Sequence, residues 1–427
     1  MNNQPVIHRR FVRFAVYVLA ALAASCGAAN AVVFPGACGF GVQTPAGTAG
    51  QVIRVTSLDA GGPGSLRAAA EAKGPRLVVF EIAGVIDLKG RTLRIREPFL
   101  TIAGQTAPSP GITLIGGGIS ISTHDVLIQH LRIRPGDRGG AKRSGWQPDA
   151  LGTDAARDVV VDHCSLTWAV DENLSASGPR LSGPESTSRR ITFSNCIVAE
   201  ALHDSTHPKG PHSKGTLIHD CCRDIAIIGN LYAHNADRNP YYKAHTTGAV
   251  VNNVIYNPGR AGIQLTYSPA EWEGAPMRPV NPRVAIVGNL MLHGEDTRPG
   301  LPLVSGQFGD ACMEDNLAFD RDGAPVEMKA EAINTLSAKP VWPDGLTALP
   351  ASAALESVVG NVGARPWERD STDRRIIRDL TTRKGRIIDS QDEVGGYPRT
   401  TPVTRPLFVP DLNRRAWLAG LARRVGQ

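Results

Sequence analysis

The sequence has few cysteines, few aromatic residues and no long stretch with the periodicity of a helix. Seven of its 427 residues are Cys, and Phe, Trp and Tyr together make up 5%. This cysteine content excludes a disulfide-rich scaffold, and no CxxC spacing indicates a zinc site. Six cysteines follow residue 31 and leave either one or two disulfides or free buried thiols open: Cys38, Cys164, Cys196, Cys221, Cys222 and Cys312.

The chain carries little excess charge of either sign. Its formal net charge is +6, and residues 1–31 contribute three arginines and no acidic residue, so the remainder carries 6 − 3 = +3. A charge this small does not predict binding to nucleic acid. It remains compatible with an acidic polymer as substrate if the cations converge on one groove.

The N-terminus has the order of a secretory signal peptide. Three arginines precede the apolar run FAVYVLAALAA, and the small residues AANA follow it. The run is short and rich in Ala for a membrane span. The sequence therefore predicts a signal peptide over residues 1–31, a mature chain that begins near Val32, secretion to the medium or periplasm, and no stable membrane insertion.

Short apolar segments recur through the middle of the chain, and each carries a polar residue at the same place. Aligned on that residue, the steps between segments are 33, 32, 35, 23, 36 and 27 residues. A period of this size with variable insertions is typical of a solenoid, in which each turn packs on its neighbours. The aligned positions are His130, His163, Asn195, Asn230, Asn253, Asn289 and Asn316.

The repeating segments predict strands. They are short, rich in Val and Ile, and bounded by Gly, Asn, Asp or Pro. Stacked in parallel, they bury one face, and the recurring Asn can form a hydrogen-bonded ladder at the bend. We predict a capping helix at GPGSLRAAAEAKG, residues 62–74, with Ser65 as its N-cap, a strand domain over residues 32–320, and a wrapping extension over residues 321–427.

Several motifs occur in the order found in pectate lyases of polysaccharide lyase family 1. From Phe34 to Asn316 the sequence resembles that family in FPGACGFG, GSLR, TIAGQTAPSPGITL, RIRPGD, VDHCSLTWAVDE, RNPYYK and VNNVIYN. The resemblance implies an all-β, right-handed parallel β-helix that is monomeric. It also implies cleavage of polygalacturonate, an acidic polysaccharide, by β-elimination with calcium as cofactor.

The same resemblance assigns metal ligands residue by residue. Asp162 in VDHC falls on a calcium-ligand position, and Asp171 in VDENLS resembles the first Asp of the motif DGxxD. Ser175 stands where the second Asp of that motif is expected, and Glu172 is the candidate that compensates for it.

The resemblance also assigns the catalytic and substrate-binding cations. Lys214 in HSKGTLI resembles the substrate-binding lysine of HDKxTLI. Arg238 resembles the catalytic arginine of RxPxxR, and Lys243 replaces the second arginine of that motif.

Chemistry explains why cations are needed. Elimination removes the C5 proton, which lies next to a carboxylate and is too weakly acidic unless that negative charge is neutralised. Preorganised positive charge then holds the developing enediolate. Because arginine is almost always protonated, Arg238 as base demands a site dense in positive charge, and Lys243 is the alternative base.

Other side chains have two interpretations each. Asp162 could be a ladder or turn residue instead of a ligand. Trp168 could lie in the core or stack on a sugar, with the core favoured. His212 belongs to a run with His203, His207 and His219 whose spacing matches no zinc pattern, so we predict that it lines the substrate groove.

Two functions other than pectate cleavage stay open from the sequence. The Ser at position 175 is compatible with a β-helix protein that binds acidic glycans without cleaving them. A lyase that acts on a different uronic-acid polysaccharide is the other alternative. A pectin hydrolase would need two acidic residues across the scissile bond, and its NTD, DD and RIK signatures are absent.

Overall fold

Parallel strands make up most of the regular structure. The computed structural model describes residues 32–183 and 185–424, and the predicted signal peptide lies outside them. From Arg76 onward each coil adds one strand to each of three sheets in turn, so that strands from successive coils become neighbours. This is the parallel β-helix that the repeats predicted.

Sheet 1 has eleven strands in the order in which the chain visits it. They are β1 (Gln51–Val55), β2 (Arg76–Phe80), β5 (Leu100–Ala103), β8 (His124–Gln129), β11 (Arg157–Asp162), β14 (Arg189–Ser194), β17 (Arg223–Ile228), β20 (Thr247–Val251), β23 (Arg283–Val287), β26 (Gly309–Glu314) and β28 (Ile333–Thr335).

Sheet 2 has ten strands, and its last one is antiparallel to the others. They are β3 (Ile82–Asp87), β6 (Ile112–Ile115), β9 (Leu131–Arg134), β12 (Ser165–Thr167), β15 (Ile197–Ala199), β18 (Leu231–Ala233), β21 (Val254–Tyr256), β24 (Leu290–Leu292), β27 (Leu317–Phe319) and β29 (Val403–Thr404).

Sheet 3 has eight short strands and carries the candidate site described below. They are β4 (Leu93–Ile95), β7 (Ile119–Ile121), β10 (Leu151–Asp154), β13 (Glu172–Ser177), β16 (Lys214–Ile218), β19 (Tyr241–Tyr242), β22 (Ile263–Leu265) and β25 (Val304–Ser305).

The core lies between the three sheets and consists of rows of identical register. One row in sheet 1 stacks buried apolar side chains over seven successive coils: Val78, Ile102, Ile128, Val161, Phe193, Ile227 and Val250. Because each side chain covers its equivalents above and below, the β-branched repeats of the sequence produce a continuous apolar interior.

An asparagine ladder supports the bend between sheets 1 and 2, as predicted. The backbone N–H of Asn230 donates to Oδ1 of Asn253 (2.9 Å), that of Asn253 to Asn289 (3.0 Å), and that of Asn289 to Asn316 (3.0 Å). The ladder therefore satisfies buried backbone donors where the chain leaves sheet 1.

The predicted alignment of His130, His163 and Asn195 with this ladder is wrong by one residue, since all three are level with Gly229 and not with Asn230. Cys196 occupies the ladder position, and its backbone N–H donates to Oδ1 of Asn230 (2.8 Å). Asn195 has a positive φ of 51°, like Gly229 of the next coil at 65°. Asn195 was misaligned because Asn is common both in ladders and in left-handed turns.

Helix α1 (Leu66–Glu71) covers the N-terminal end of the coil, as predicted. Ser65 is its N-cap and accepts a hydrogen bond from the backbone N–H of Ala68 (3.2 Å). Leu66, Ala69 and Ala70 are buried against the first strands. The helix thus shields an end of the solenoid that would otherwise be open.

The chain after β28 runs back along the outside of the coil. Helices α2 (Ala354–Asn361) and α3 (Ser371–Thr382) pack on sheet 2, and α4 (Arg414–Arg424) packs on the first strands of sheet 1. The segment Val403–Thr404 pairs with Ile82 and Ala83. The coil strands continue to Thr335, beyond the predicted limit at residue 320.

A buried ionic group fixes α3 to sheet 2. The guanidinium of Arg134 is fully buried and donates to Asp370 (2.6 Å) and Asp373 (2.8 Å). Asp370 is also the N-cap of α3.

Within residues 32–183 and 185–424, the structure contains no helix of the length and apolarity that a membrane crossing requires.

Candidate active site

The candidate site lies where loops from sheet 2 enter sheet 3. Asp149 precedes β10, Asp171 immediately precedes β13, and Arg238 precedes β19. Glu172 begins β13, and Lys214 begins β16. Register pairs Glu172 with Lys214, and Lys214 forms a bridge with Asp237 of the following coil. Residues that are distant in sequence therefore meet because they occupy the same corner of successive coils.

Three carboxylates form the centre of the site. Ligand oxygens of Asp149, Asp171 and Glu172 lie within 4.8 Å of one another. Asp171 and Glu172 were predicted, whereas Asp149 was missed. Its signal in the sequence is the segment PDALGTD, which becomes informative once the strand Leu151–Asp154 is known to lie beside β13.

Asp149 is held by two donors and disturbed by its neighbours. The backbone N–H of Glu172 donates to Oδ1 (3.1 Å), and the hydroxyl of Ser175 donates to Oδ2 (2.7 Å). Burial and the adjacent charge of Asp171 raise the pKa of Asp149 to about 7. Ser175, found where the family motif has an Asp, thus supports a carboxylate of the site instead of adding one.

The guanidinium of Arg238 lies on the carboxylate cluster. Its Nη1 forms an ion pair with Oε1 of Glu172, and its Cζ lies 5.7 Å from the ring centre of Tyr241. Gln264 accepts a hydrogen bond from the backbone N–H of Arg238 (2.7 Å) and fixes the left-handed turn there. Burial lowers the pKa of Arg238, and the carboxylates of Asp171 and Asp149 oppose that shift.

Lys214 points into the same region and is oriented by an acid of the next coil. Its Nζ donates to Oδ2 of Asp237 (2.8 Å), and Arg260 pairs with the same carboxylate. Burial lowers the pKa of Lys214, and Asp237 opposes that shift. Asp237 therefore holds the ammonium of Lys214 in place. Its single negative charge does not cancel the two positive charges of Lys214 and Arg260.

Lys243 belongs to a different ionic group. Its Nζ lies 3.1 Å from Oδ2 of Asp220 and pairs with Glu271. Arg180 contacts the same two carboxylates. Because this ammonium pairs with Asp220 and Glu271 and not with the carboxylate cluster, the geometry disfavours Lys243 as the base.

Two stacked imidazoles flank Asp171. The rings of His207 and His212 are 3.5 Å apart, and Nε2 of His212 lies 3.1 Å from Oδ1 of Asp171. Burial opposes ionisation of Asp171, but the hydrogen bond from His212 prevails and lowers its pKa. His212 therefore acts on the cluster through Asp171.

Nε2 of His207 faces Asp171 but makes no hydrogen bond with it. Its Nδ1 accepts the backbone N–H of Lys209 (3.1 Å), so in the neutral ring Nε2 carries the hydrogen. Nε2 lies 3.9 Å from Oδ2 of Asp171. Although these two histidines and Asp171 are close enough for a shared ion, this tautomer of His207 offers no lone pair to one, and His212 is the imidazole that supports the carboxylate.

The prediction that Asp162 is a metal ligand beside Asp171 is wrong. Asp162 ends β11 at the corner between sheets 1 and 2, whereas the cluster lies at the entry to sheet 3. Although burial opposes ionisation, His163 and neighbouring donors hold the pKa of Asp162 well below its usual range. Both oxygens are occupied by donors from Gln129, His163, Ser194 and Asn195.

Trp168 is not a sugar-stacking surface. Its side chain is fully buried, and its indole N–H donates to Glu200 (3.0 Å). The guanidinium of Arg134 lies 5.3 Å from its ring centre. The prediction of substrate binding is therefore wrong, and the alternative of a core residue is confirmed.

The carboxylate cluster fits a calcium ion by its chemistry. Calcium takes hard oxygen ligands, and all three side chains supply carboxylate oxygens. The pKa of Asp149 is raised first by burial and then by the charge of Asp171, its neighbour in the cluster. The six described cysteines are free, and none of them lies in this group.

Comparisons with known proteins agree on one enzyme type. A protein described as probable pectate lyase C of Aspergillus flavus is 31% identical over 376 residues, which cover 86% of this chain and 81% of that protein. A similar protein from Aspergillus terreus is 32% identical over 383 residues, which cover 87% and 83%. No family model matches the sequence.

Solved structures share the fold at low sequence identity. The cedar pollen allergen Jun a 1 matches with a TM-score of 0.56 and 17% identity over 75% of this chain and 91% of the allergen. A pectate lyase bound to a hexasaccharide matches with a TM-score of 0.54 and 14% identity over 77% of this chain and 97% of that enzyme.

Proposed function

Because this chain belongs to the pectate lyases, the polysaccharide lyases of family 1, we propose that it cleaves polygalacturonate by calcium-assisted β-elimination with Arg238 as the base. The observation that carries this proposal is the position of Arg238. Its guanidinium touches Glu172 within the cluster of Asp149, Asp171 and Glu172.

The chain supplies both the positive charge and the base that elimination needs. Lys214, oriented by Asp237, presents an ammonium to a uronate carboxylate beside Arg238. Neutralising that carboxylate acidifies the adjacent C5 proton, and fixed positive charge holds the enediolate that develops. Burial lowers the pKa of Arg238, which is the direction that a base requires. As Arg238 takes the C5 proton, the C4–C5 double bond forms, the C4–O bond breaks, and the leaving oxygen takes a proton from water.

Calcium is the cofactor that the cluster would hold, with Asp149, Asp171 and Glu172 as its protein ligands. When bound, calcium supplies further positive charge to the substrate carboxylate. His212 and Ser175 keep Asp171 and Asp149 in orientation, as hydrogen-bonded supports of ligands do.

Secretion is proposed from the arginines, apolar run and small residues of positions 1–31 alone.

The hydroxyl at position 175 also favours a second candidate function. Where a fourth carboxylate would add charge, Ser175 adds a neutral donor to Asp149. A protein with weaker calcium binding could retain acidic glycans without cleaving them. The two candidates differ in whether an unsaturated product forms.

One experiment separates these functions. Purified protein is incubated with polygalacturonate, with calcium or with a chelator, and the ultraviolet absorbance of the unsaturated uronide is followed. We expect absorbance that depends on calcium and disappears with the chelator. New reducing ends without absorbance would indicate hydrolysis, and retention of the polymer without either would indicate a binding protein. Either result contradicts the proposed elimination.

A further inference from the structure

One row of residues on the outer face of sheet 3 begins at Ser175 in the active site and leads away from it toward the N-terminal coils. Register pairs Ser175 with Gly152, Gly152 with Ser120, and Ser120 with Arg94. Arg94 is exposed between two buried residues of β4, so its side chain leaves the core. Since neighbouring strands lie about 4.8 Å apart, three spacings place Arg94 about 14 Å from Ser175.

The small side chains of this row leave a shallow trough on the outer face of sheet 3, between Ser175 and Arg94. Ser175, Gly152 and Ser120 carry at most one hydroxymethyl group each. A Cβ at Gly152 would lie 2.7 Å from Oγ of Ser175 and 3.2 Å from Oδ2 of Asp149. The trough is therefore continuous with the carboxylate cluster, and no large side chain of the row blocks it.

A basic cleft lies at the far end of the trough, where α1 meets β4. It has a volume of about 590 Å³. Arg91, Arg94 and Arg96 line it and are exposed. No hydrogen bond or ion pair involves these three side chains in the part of the chain that the structure describes.

The acidic residues of the cleft do not neutralise it. Glu71 pairs with Arg67 (3.5 Å), and Glu97 is the other carboxylate of the lining. Four arginines thus face two carboxylates, which leaves the cleft positive. Arginine keeps its charge at any physiological pH, and its planar fork matches a carboxylate.

A further cation connects the cleft with the loop that carries Asp149. Arg138 belongs to that loop, and its guanidinium lies 5.2 Å from the ring centre of Trp146. The same guanidinium lies so close to Gly90, which lines the cleft, that it leaves no room for a Cβ there. Positive charge therefore continues from the cleft toward the active site.

We propose that the cleft of Arg91, Arg94 and Arg96 is a distal subsite for the same polyuronate chain that is cleaved at Arg238. This inference rests on the proposed function. Every sugar of the chain carries a carboxylate, so a long substrate that follows the trough reaches the cleft with a negative group. The subsite gives the enzyme a preference for long, unesterified chains over short oligomers.

The test changes the charge of the cleft. Arg94→Glu and the double variant Arg94→Glu/Arg96→Glu are compared with Arg283→Glu, a matched control at an exposed arginine of β23 in sheet 1. Retardation in native gels that contain polygalacturonate measures binding, and methyl-esterified pectin is the neutral probe. We expect the cleft variants to lose roughly three- to ten-fold in affinity for polygalacturonate alone, because each exposed ion pair contributes little.

Kinetics give a second, independent readout. We expect the ratio of KM for polygalacturonate to KM for trigalacturonate to rise by the same factor in the cleft variants and to stay constant in Arg283→Glu. Equal losses in all three variants, or no loss in the cleft variants, would overturn the subsite. If the unaltered protein cleaves neither substrate, the proposed function fails, and the gel retardation still decides the subsite.

Discussion

The guanidinium of Arg238 pairs with the carboxylate of Glu172, although 66 positions separate the two residues in the chain. The contact exists because β13 is followed, coil after coil, by β16 and β19 in the same sheet. The contact joins the candidate base to the candidate metal ligands. A substitution at either residue is therefore expected to affect both proton removal and calcium binding.

Replacing Arg238 with Ala is expected to lower kcat by about 10²- to 10⁴-fold, the usual contribution of a general base. The rate at which the ultraviolet absorbance of the unsaturated product rises during incubation with polygalacturonate measures the effect. Circular dichroism and thermal unfolding serve as controls, since the side chain is not part of the core. A variant that keeps nearly full activity removes Arg238 from its role.

Replacing Glu172 with Gln is expected to weaken calcium binding by about tenfold or more, because one of three charged ligands is lost. Calorimetric titration with calcium measures this affinity without any need for activity. Glu271→Gln is the matched control, since Glu271 pairs with Lys243 in the separate ionic group. Equal calcium affinity in Glu172→Gln and the unaltered protein would argue against Glu172 as a ligand.

Calcium affinity is expected to depend on pH through Asp149. The pKa of Asp149 is raised to about 7, so below that pH a proton competes with the metal for its carboxylate. Affinity should rise by up to about tenfold per pH unit below 7 and level off above it. In Asp149→Asn the affinity should be lower overall and lose this dependence. A curve with the same slope in both proteins would assign the titration to another group.

Replacing Arg134 with Ala is expected to destabilise the protein by about 3 kcal/mol, because Asp370 and Asp373 lose their closest cation and keep only the longer contacts with Arg132. Urea unfolding measures the free energy. Arg378→Ala is the control, because Arg378 is an exposed residue of helix α3, which Asp370 and Asp373 belong to or cap. Similar stabilities of the two variants would show that the ionic group does not anchor α3.

The sequence was most informative where residue type and repeat position coincided. The strand repeats predicted the β-helix, and motif order predicted Asp171, Glu172, Lys214 and Arg238, which the structure brings together. Periodicity succeeds here because every coil imposes the same alternation of buried and exposed positions.

The misses have a common physical origin in the corners of the coil. Asp149 was overlooked, and Asp162 was assigned in its place, because sequence order does not reveal at which corner a turn lies. The shift at Asn195 has the same cause, since a left-handed turn residue and a ladder residue are neighbours in the chain. Trp168 is buried by Glu200 and Tyr397, the latter from the extension.

The return of the extension brings both ends of the described chain together beside the early strands of sheet 1. Arg415 of α4 donates to the backbone oxygen of Val32 (3.2 Å), and Leu418 packs on Leu77 and Val79. Fusion partners or surface linkers attached at Val32 or at the end of α4 would therefore lie on the same face of the β-helix. A short peptide could join the termini, and new ends could then be opened at a loop remote from the substrate groove.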